Sequence, residues 1–127
     1  MARVLGLGGL VFKAADPAAT RTWYARVLGI EFDSWGGTVF DPKDAAAHPG
    51  AGTVFCPFDT DTGYFAPSKS DVKFNLMVDD LAAMLERCAA EGVQPYGEVL
   101  DEMNGRFAHI IDPDGRKVEL WEPKPMA

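Results

Sequence analysis

Apolar and polar positions change period several times along the chain, and each change predicts an element. Val4 to Lys13 is a largely apolar run that ends before Asp16-Pro17, which predicts a strand. Asp16 can cap a helix, and Pro17 suits its first turn, where no N–H is needed. From Pro17 to Leu28, Ala18, Thr22, Ala25 and Leu28, and Trp23 with Val27, keep helical spacing until Gly29 stops the helix. Short strands are predicted over 30–32, 38–40 and 53–58. The stretch 41–52 reads as an Asp-, Pro-, Ala- and Gly-rich loop, and 59–71 as a polar, turn-rich connector.

In the second half, Lys73 to Val78 alternates strictly. Phe74, Leu76 and Val78 share one face, and Lys73, Asn75 and Met77 the other. Asp79 can cap a helix over 80–91, with Leu81, Met84, Leu85 and Cys88 on one face and Gly92 as its stop. Strands are predicted over 98–100, 106–111 and 117–121, the last two joined by the tight turn Asp112-Pro113-Asp114-Gly115. The order strand, helix, three strands thus occurs twice, and Asp79 and Gly92 each follow Asp16 and Gly29 by 63 positions. The predicted fold class is α+β: two βαβββ modules forming a curled eight-stranded mixed sheet with helices on its convex face. All 127 residues form one domain, with modules at about 4–58 and 72–124 around the connector 59–71.

Charge narrows the function. Twelve Lys plus Arg against nineteen Asp plus Glu give a net charge of −7, and the basic residues are scattered singly. No positive stripe exists to displace counterions from nucleic acid or to meet an anionic membrane. Cys56 and Cys88 form no motif, and Cys88 is expected as a buried reduced thiol. No apolar run reaches the roughly 18 residues of a membrane span, and no signal-peptide pattern opens the chain, which predicts a cytoplasmic protein. There is no Ser-His-Asp arrangement, and Gly6-x-Gly8-Gly9 lies in a predicted strand, so it cradles no phosphate.

Three stretches carry a resemblance to a known superfamily. They are Asp16 to Gly29 with Trp23-Tyr24 and Val27-Leu28-Gly29-Ile30; Val78-Asp79-Asp80-Leu81; and Asp112-Pro113-Asp114-Gly115-Arg116-Lys117-Val118-Glu119-Leu120-Trp121-Glu122-Pro123. In these the chain resembles the vicinal oxygen chelate superfamily of glyoxalase I, bleomycin-resistance proteins and extradiol dioxygenases. It looks like an uncharacterised branch, marked by Pro57-Phe58 and Asp61-Thr62-Gly63-Tyr64-Phe65. The resemblance implies a half-open barrel whose concave face holds a metal and a small substrate, and commonly a homodimer. The family's four metal-ligand positions fall on Gly9, Phe55 or Cys56, Lys73 and Glu119, of which only Glu119 is a ligand type. One carboxylate does not close a coordination shell, so no tightly bound metal is expected, and a weak divalent site rests on Glu119 alone.

Strand parity, with the family's pocket-lining positions, places Glu119, Trp121, Phe107, His109, Lys73, Asn75, Met77 and Lys13 around one cavity. Glu119 and His109 are the catalytic candidates: a carboxylate, and an imidazole suited to proton transfer. Lys13, Lys73, Asn75, Met77, Phe107 and Trp121 are the substrate-binding candidates, mixing apolar walls with a few polar groups. Other readings stand beside these. Glu119 can simply pair with Lys73 or Lys13, His109 can be structural, and Trp23 and Tyr24 suit packing. His48 reads as a solvent-exposed loop residue, and Trp35 as a residue at the pocket mouth. Three functions remain open: a glyoxalase-like lyase or isomerase, a metal-free small-molecule binding protein of the bleomycin-resistance type, and a protein with a vestigial pocket whose role is association.

Overall fold

The computed structural model describes residues 1–126. Its elements are α1 (Pro17–Leu28), α2 (Pro42–Ala46), β1 (Phe74–Met77), α3 (Leu81–Ala90), β2 (Leu100–Glu102), β3 (Gly105–Ile111) and β4 (Lys117–Pro123). Both long helices start and stop on local chemistry. The Asp16 carboxylate accepts from the Ala19 N–H at 3.1 Å, and Gly29 closes α1 at φ 74°, a left-handed turn that costs glycine little. Asp80, one residue later than predicted, caps α3 by accepting from the Ala83 N–H at 3.0 Å. The Glu122 carboxylate, reaching over from β4, accepts from the Leu81 N–H at 2.7 Å.

The four strands form one mixed sheet in the order β1-β4-β3-β2. β1 runs parallel to β4, which the α3 crossover permits, while β3 pairs antiparallel with both β4 and β2. One face of the sheet packs on α1 and α3. Tyr24, Val27 and Leu28 of α1 meet Leu81 and Cys88 of α3 over Phe74, Ala108, Ile110, Val118 and Leu120. Leu81, Ile110 and Leu120 are fully buried, at roughly 1.5–3 kcal/mol each. Cys88 is the buried free thiol that its helical position predicts.

The first half departs from expectation. Among the described residues, no strand precedes Phe74, so the sheet has four strands and not eight, and of the elements predicted for the first βαβββ module only the helix α1 forms, with the short α2 in what reads as a loop. The stretches 4–13, 30–32, 38–40 and 53–58 run as irregular chain. Val4, Val11 and Phe55 are about nine-tenths exposed. An apolar period sets which side of a strand can be buried but does not name the strand it pairs with, and the outer edge of β1 is left unpaired.

Besides the core packing of α1, three hydrogen bonds among the described residues tie residues 1–58 to the sheet and its turn. The Tyr24 hydroxyl donates to Asp112 at 2.7 Å, and the Arg116 guanidinium donates to the Lys13 carbonyl. The His48 ring, through Nε2, donates to the Pro123 carbonyl at 2.8 Å, so His48 is docked and not free in solvent as predicted. No helix among the described residues is long and apolar enough to cross a membrane.

Candidate functional site

Sheet register builds the site. His109 of β3 and Asn75 of β1 lie directly opposite Glu119 of β4, forming one row across three strands. The next row on the same face is Phe107, Trp121 and Met77. The intervening positions Ala108 and Leu120 turn to the helices and are buried there, as alternation requires.

Glu119 is the centre of the first row. One of its oxygens, Oε1, accepts from Asn75 Nδ2 at 2.7 Å. The other, Oε2, accepts from the Tyr64 hydroxyl at 2.5 Å, His109 Nε2 at 3.0 Å and Lys73 Nζ at 3.2 Å. Three donors crowd Oε2, while Oε1, with about two acceptor sites, takes only Asn75. An ionised carboxylate only accepts, so His109 carries its proton on Nε2. The Lys73 ammonium, 3.4 Å from that nitrogen, is then a close neighbour and not a donor to it.

The side chains of Glu119, Lys73 and His109 are only 9, 8 and 6% exposed, so these charges act at low dielectric. Burial alone would raise the Glu119 pKa. Hydrogen bonds from His109, Tyr64 and Asn75, with the Lys73 charge, outweigh it and bring the carboxyl down to about 2. For Lys73, burial lowers the pKa and the nearby Lys117 adds to this, while Glu119 opposes both. Burial, and then the bond to Glu119, push the Tyr64 phenol well above the usual tyrosine range.

Tyr64 lies in the connector, which here covers the sheet face. Lys73 Nζ sits 3.4 Å from the centre of its ring. Phe58 stacks on the ring at 5.8 Å with 6° between planes, and His109 meets it edge-on at 5.6 Å. Lys117 Nζ donates to the Tyr64 carbonyl at 2.9 Å. In the second row Phe107 and Trp121 stack at 5.9 Å with 4° between planes, and Met77 sits half-exposed at the sheet edge.

The structure therefore brings Glu119, His109, Lys73 and Asn75 together, with Phe107, Trp121 and Met77 alongside. It does not bring Lys13, which lines a separate groove of about 410 Å³ with Phe12, Ser68, Lys69 and Arg116. Phe55 and Cys56 are also exposed, because the strands that would carry the first-half positions to Glu119 do not form. Two residues of the cluster, Tyr64 and Phe58, escape sequence reasoning, whereas alternation from Glu119 puts Lys117 on this face. Tyr64 and Phe58 carry no periodic signal; the hint was an aromatic pair, Tyr64-Phe65, in an otherwise polar connector.

A divalent cation does not suit this cluster. Oε2 of Glu119 already takes three donors, and a cation at the carboxylate would face the Lys73 ammonium. Among the described residues, no three of His, Cys, Asp and Glu come together as a group that could hold a metal.

Two solved structures share the fold. A protein from the mobile metagenome of V. Pseudocholerae is 19% identical with a TM-score of 0.54, over 96% of this chain and 97% of that one. An integron cassette protein of V. Cholerae is 17% identical with a TM-score of 0.54, over 96% of this chain and 98% of that one. No curated protein matches the chain. The family described as Glyoxalase-like domain matches residues 9–121, a span that holds both long helices, the connector and the whole Glu119 cluster. The superfamily resemblance carried by the Asp16–Gly29 and Asp112–Pro123 stretches is thereby borne out, and the chain belongs to the Glyoxalase-like domain family, within the vicinal oxygen chelate superfamily.

Proposed function

We propose that the protein binds a small organic molecule, without a metal, on the sheet face centred on Glu119. The carrying observation is the state of Glu119: buried, ionised and held by four donors, with a pKa of about 2. A carboxylate that takes up a proton so poorly is a weak general base near neutral pH. It is a strong fixed acceptor for a ligand's hydrogen-bond donor. The stacked Phe107 and Trp121 supply an apolar wall beside it, the usual composition of a small-molecule site. This favours sequestration of the bleomycin-resistance type over a lyase or isomerase reaction of the glyoxalase type. One feature supports an enzyme instead: the His109 imidazole is oriented by Glu119, the arrangement of a proton-transfer pair.

The working form on this reading is a homodimer. Val4, Val11, Phe55 and their neighbours expose apolar side chains beside unpaired backbone. A second copy that paired with them would complete the eight-stranded, two-module sheet and cover its edges.

Calorimetric titration of a panel of aromatic metabolites and drugs tests the binding reading, using protein dialysed against a chelator. At least one ligand is expected to bind the wild type about tenfold or more tightly than it binds Glu119→Gln, with no effect of chelator. Binding that appears only after a divalent ion is restored, or that ignores Glu119→Gln, would overturn it.

A further inference from the structure

The connector covers the Glu119 cluster, yet it is tied down at one residue. Two hydrogen bonds join residues 59–70 to the sheet among the described residues, and both belong to Tyr64: its hydroxyl to Glu119 and its carbonyl from Lys117. The remaining backbone bonds of the connector are local, namely Thr62 N–H to Asp59, Ala66 N–H to Gly63 and Ser68 N–H to Phe65. A segment held this way opens as a unit, because its internal turns survive the opening and only the contacts of Tyr64 with the sheet are lost.

What holds Tyr64 is a set of contacts that would recognise a ligand. The sheet offers an acceptor for one hydroxyl at 2.5 Å, an ammonium over one ring face at 3.4 Å, and an imidazole against the ring edge at 5.6 Å. Phe58 covers a ring face in parallel stacking. These are the requirements of a flat ring bearing one donor, and Tyr64 meets them with its own side chain. Removing Tyr64 leaves the buried Glu119 one donor short, so an occupant without a donor is disfavoured.

We propose that Tyr64 is a built-in surrogate for the ligand: the natural occupant is a phenol-type molecule, a flat ring with a hydrogen-bond-donating hydroxyl, which binds by displacing the 59–70 connector. This rests on the binding reading of the Glu119 face and names its ligand class. The covered state competes with the ligand. Apparent affinity is the intrinsic affinity multiplied by the open fraction, so releasing Tyr64 tightens binding.

The probes are p-cresol, which is the tyrosine side chain itself, and its methyl ether, which keeps the ring and loses the donor. In calorimetry Tyr64→Ala is expected to bind p-cresol roughly tenfold or more tightly than the wild type does, and to bind the ether roughly tenfold less tightly than p-cresol. In the wild type, saturating p-cresol is expected to speed amide hydrogen exchange across residues 59–70 while the β3 and β4 amides stay protected. Tyr64→Phe, which keeps the ring and frees Glu119, is expected to bind p-cresol severalfold more tightly than the wild type. It decides the affinity arm if Tyr64→Ala does not fold.

Equal binding of cresol and ether would overturn the hydroxyl-donor class. Unchanged connector exchange at saturation would overturn the displacement, reducing any Tyr64→Ala binding to the filling of an engineered hole. If p-cresol fails in every arm while a panel ligand binds in a Glu119-dependent way, the phenol class falls and the binding reading stands. If panel binding ignores Glu119→Gln, the binding reading itself falls.

Discussion

Removing Lys73 and Glu119 singly and together tests how the cluster is held. Lys73→Met keeps the aliphatic stem and deletes the ammonium, and Glu119→Gln keeps the shape and deletes the charge. The paired atoms lie 3.2 Å apart, with side chains 8 and 9% exposed. Coulomb's law gives about 5 kcal/mol for such a pair at an effective dielectric of about 20, and about 1 kcal/mol in bulk water. Burial lifts the pair above the bulk-water figure while desolvation offsets part of the gain, so a coupling of about 2–4 kcal/mol is expected. Each single variant leaves the opposite charge buried, and a loss of about 3 kcal/mol is typical of that change. Lys73→Met should cost less than Glu119→Gln. Glu119 keeps three other donors, whereas the stranded Lys73 ammonium still faces Lys117. The double variant should lose less than the two single losses added together, by the coupling energy. Urea unfolding with linear extrapolation measures all four proteins, and an unchanged m-value confirms that only stability moved. A coupling below about 0.5 kcal/mol would place the pair with distant, independent sites and refute the account of Glu119 as a buried, charge-held carboxylate.

The other predictions concern pH, the anchor of α1 and assembly. The folded-state pKa of Glu119, about 2, lies below its ordinary 4.5, so its contribution is present above 4.5 and is lost as pH falls toward 2. That loss is on the order of 3 kcal/mol, and an acid-unfolding curve of the same steepness in Glu119→Gln would contradict it. Tyr24→Phe removes a buried hydroxyl from Asp112 and should cost about 1–2 kcal/mol, read as a melting point lower by several degrees. A melting point equal to the wild type's would show the bond to be neutral. Light scattering at tens of micromolar should give twice the 13.8 kDa chain mass, and a monomer mass would remove the dimer from the functional reading.

The parts of this fold legible in the sequence are those specified by neighbours in the chain. Asp16-Pro17 and Gly29 bound α1 as read, and the Asp112–Gly115 turn fixes β3 against β4. From that register, alternation alone puts His109 and Glu119 opposite each other. Asn75 followed because Phe74 and Leu76 had to turn toward the helices. The predicted strands of the first half failed because an apolar run such as Val4 to Lys13 states a preference for burial without naming what buries it. Lys13, assigned to the site through those strands, failed with them. Tyr64 was invisible for a related reason: its place depends on a long-range contact, 55 residues from Glu119, and no local period marks it.

The core has an order in time as well as in space. Every residue that α1 packs on, from Phe74 to Leu120, is made after α1 itself. β4, the strand that pairs with β1 and β3 at once, is the last element of all. As the chain leaves the ribosome, the apolar face of α1 therefore waits without its full scaffold until Lys117–Pro123 emerges. Domains commonly fold as units, and exposed apolar segments invite aggregation in the interval. Synthesis therefore passes through a window in which residues 1–116 are present and the sheet cannot close. The yield of folded protein should then fall when β4 is delayed by slow codons, more steeply than for an equal delay earlier in the chain.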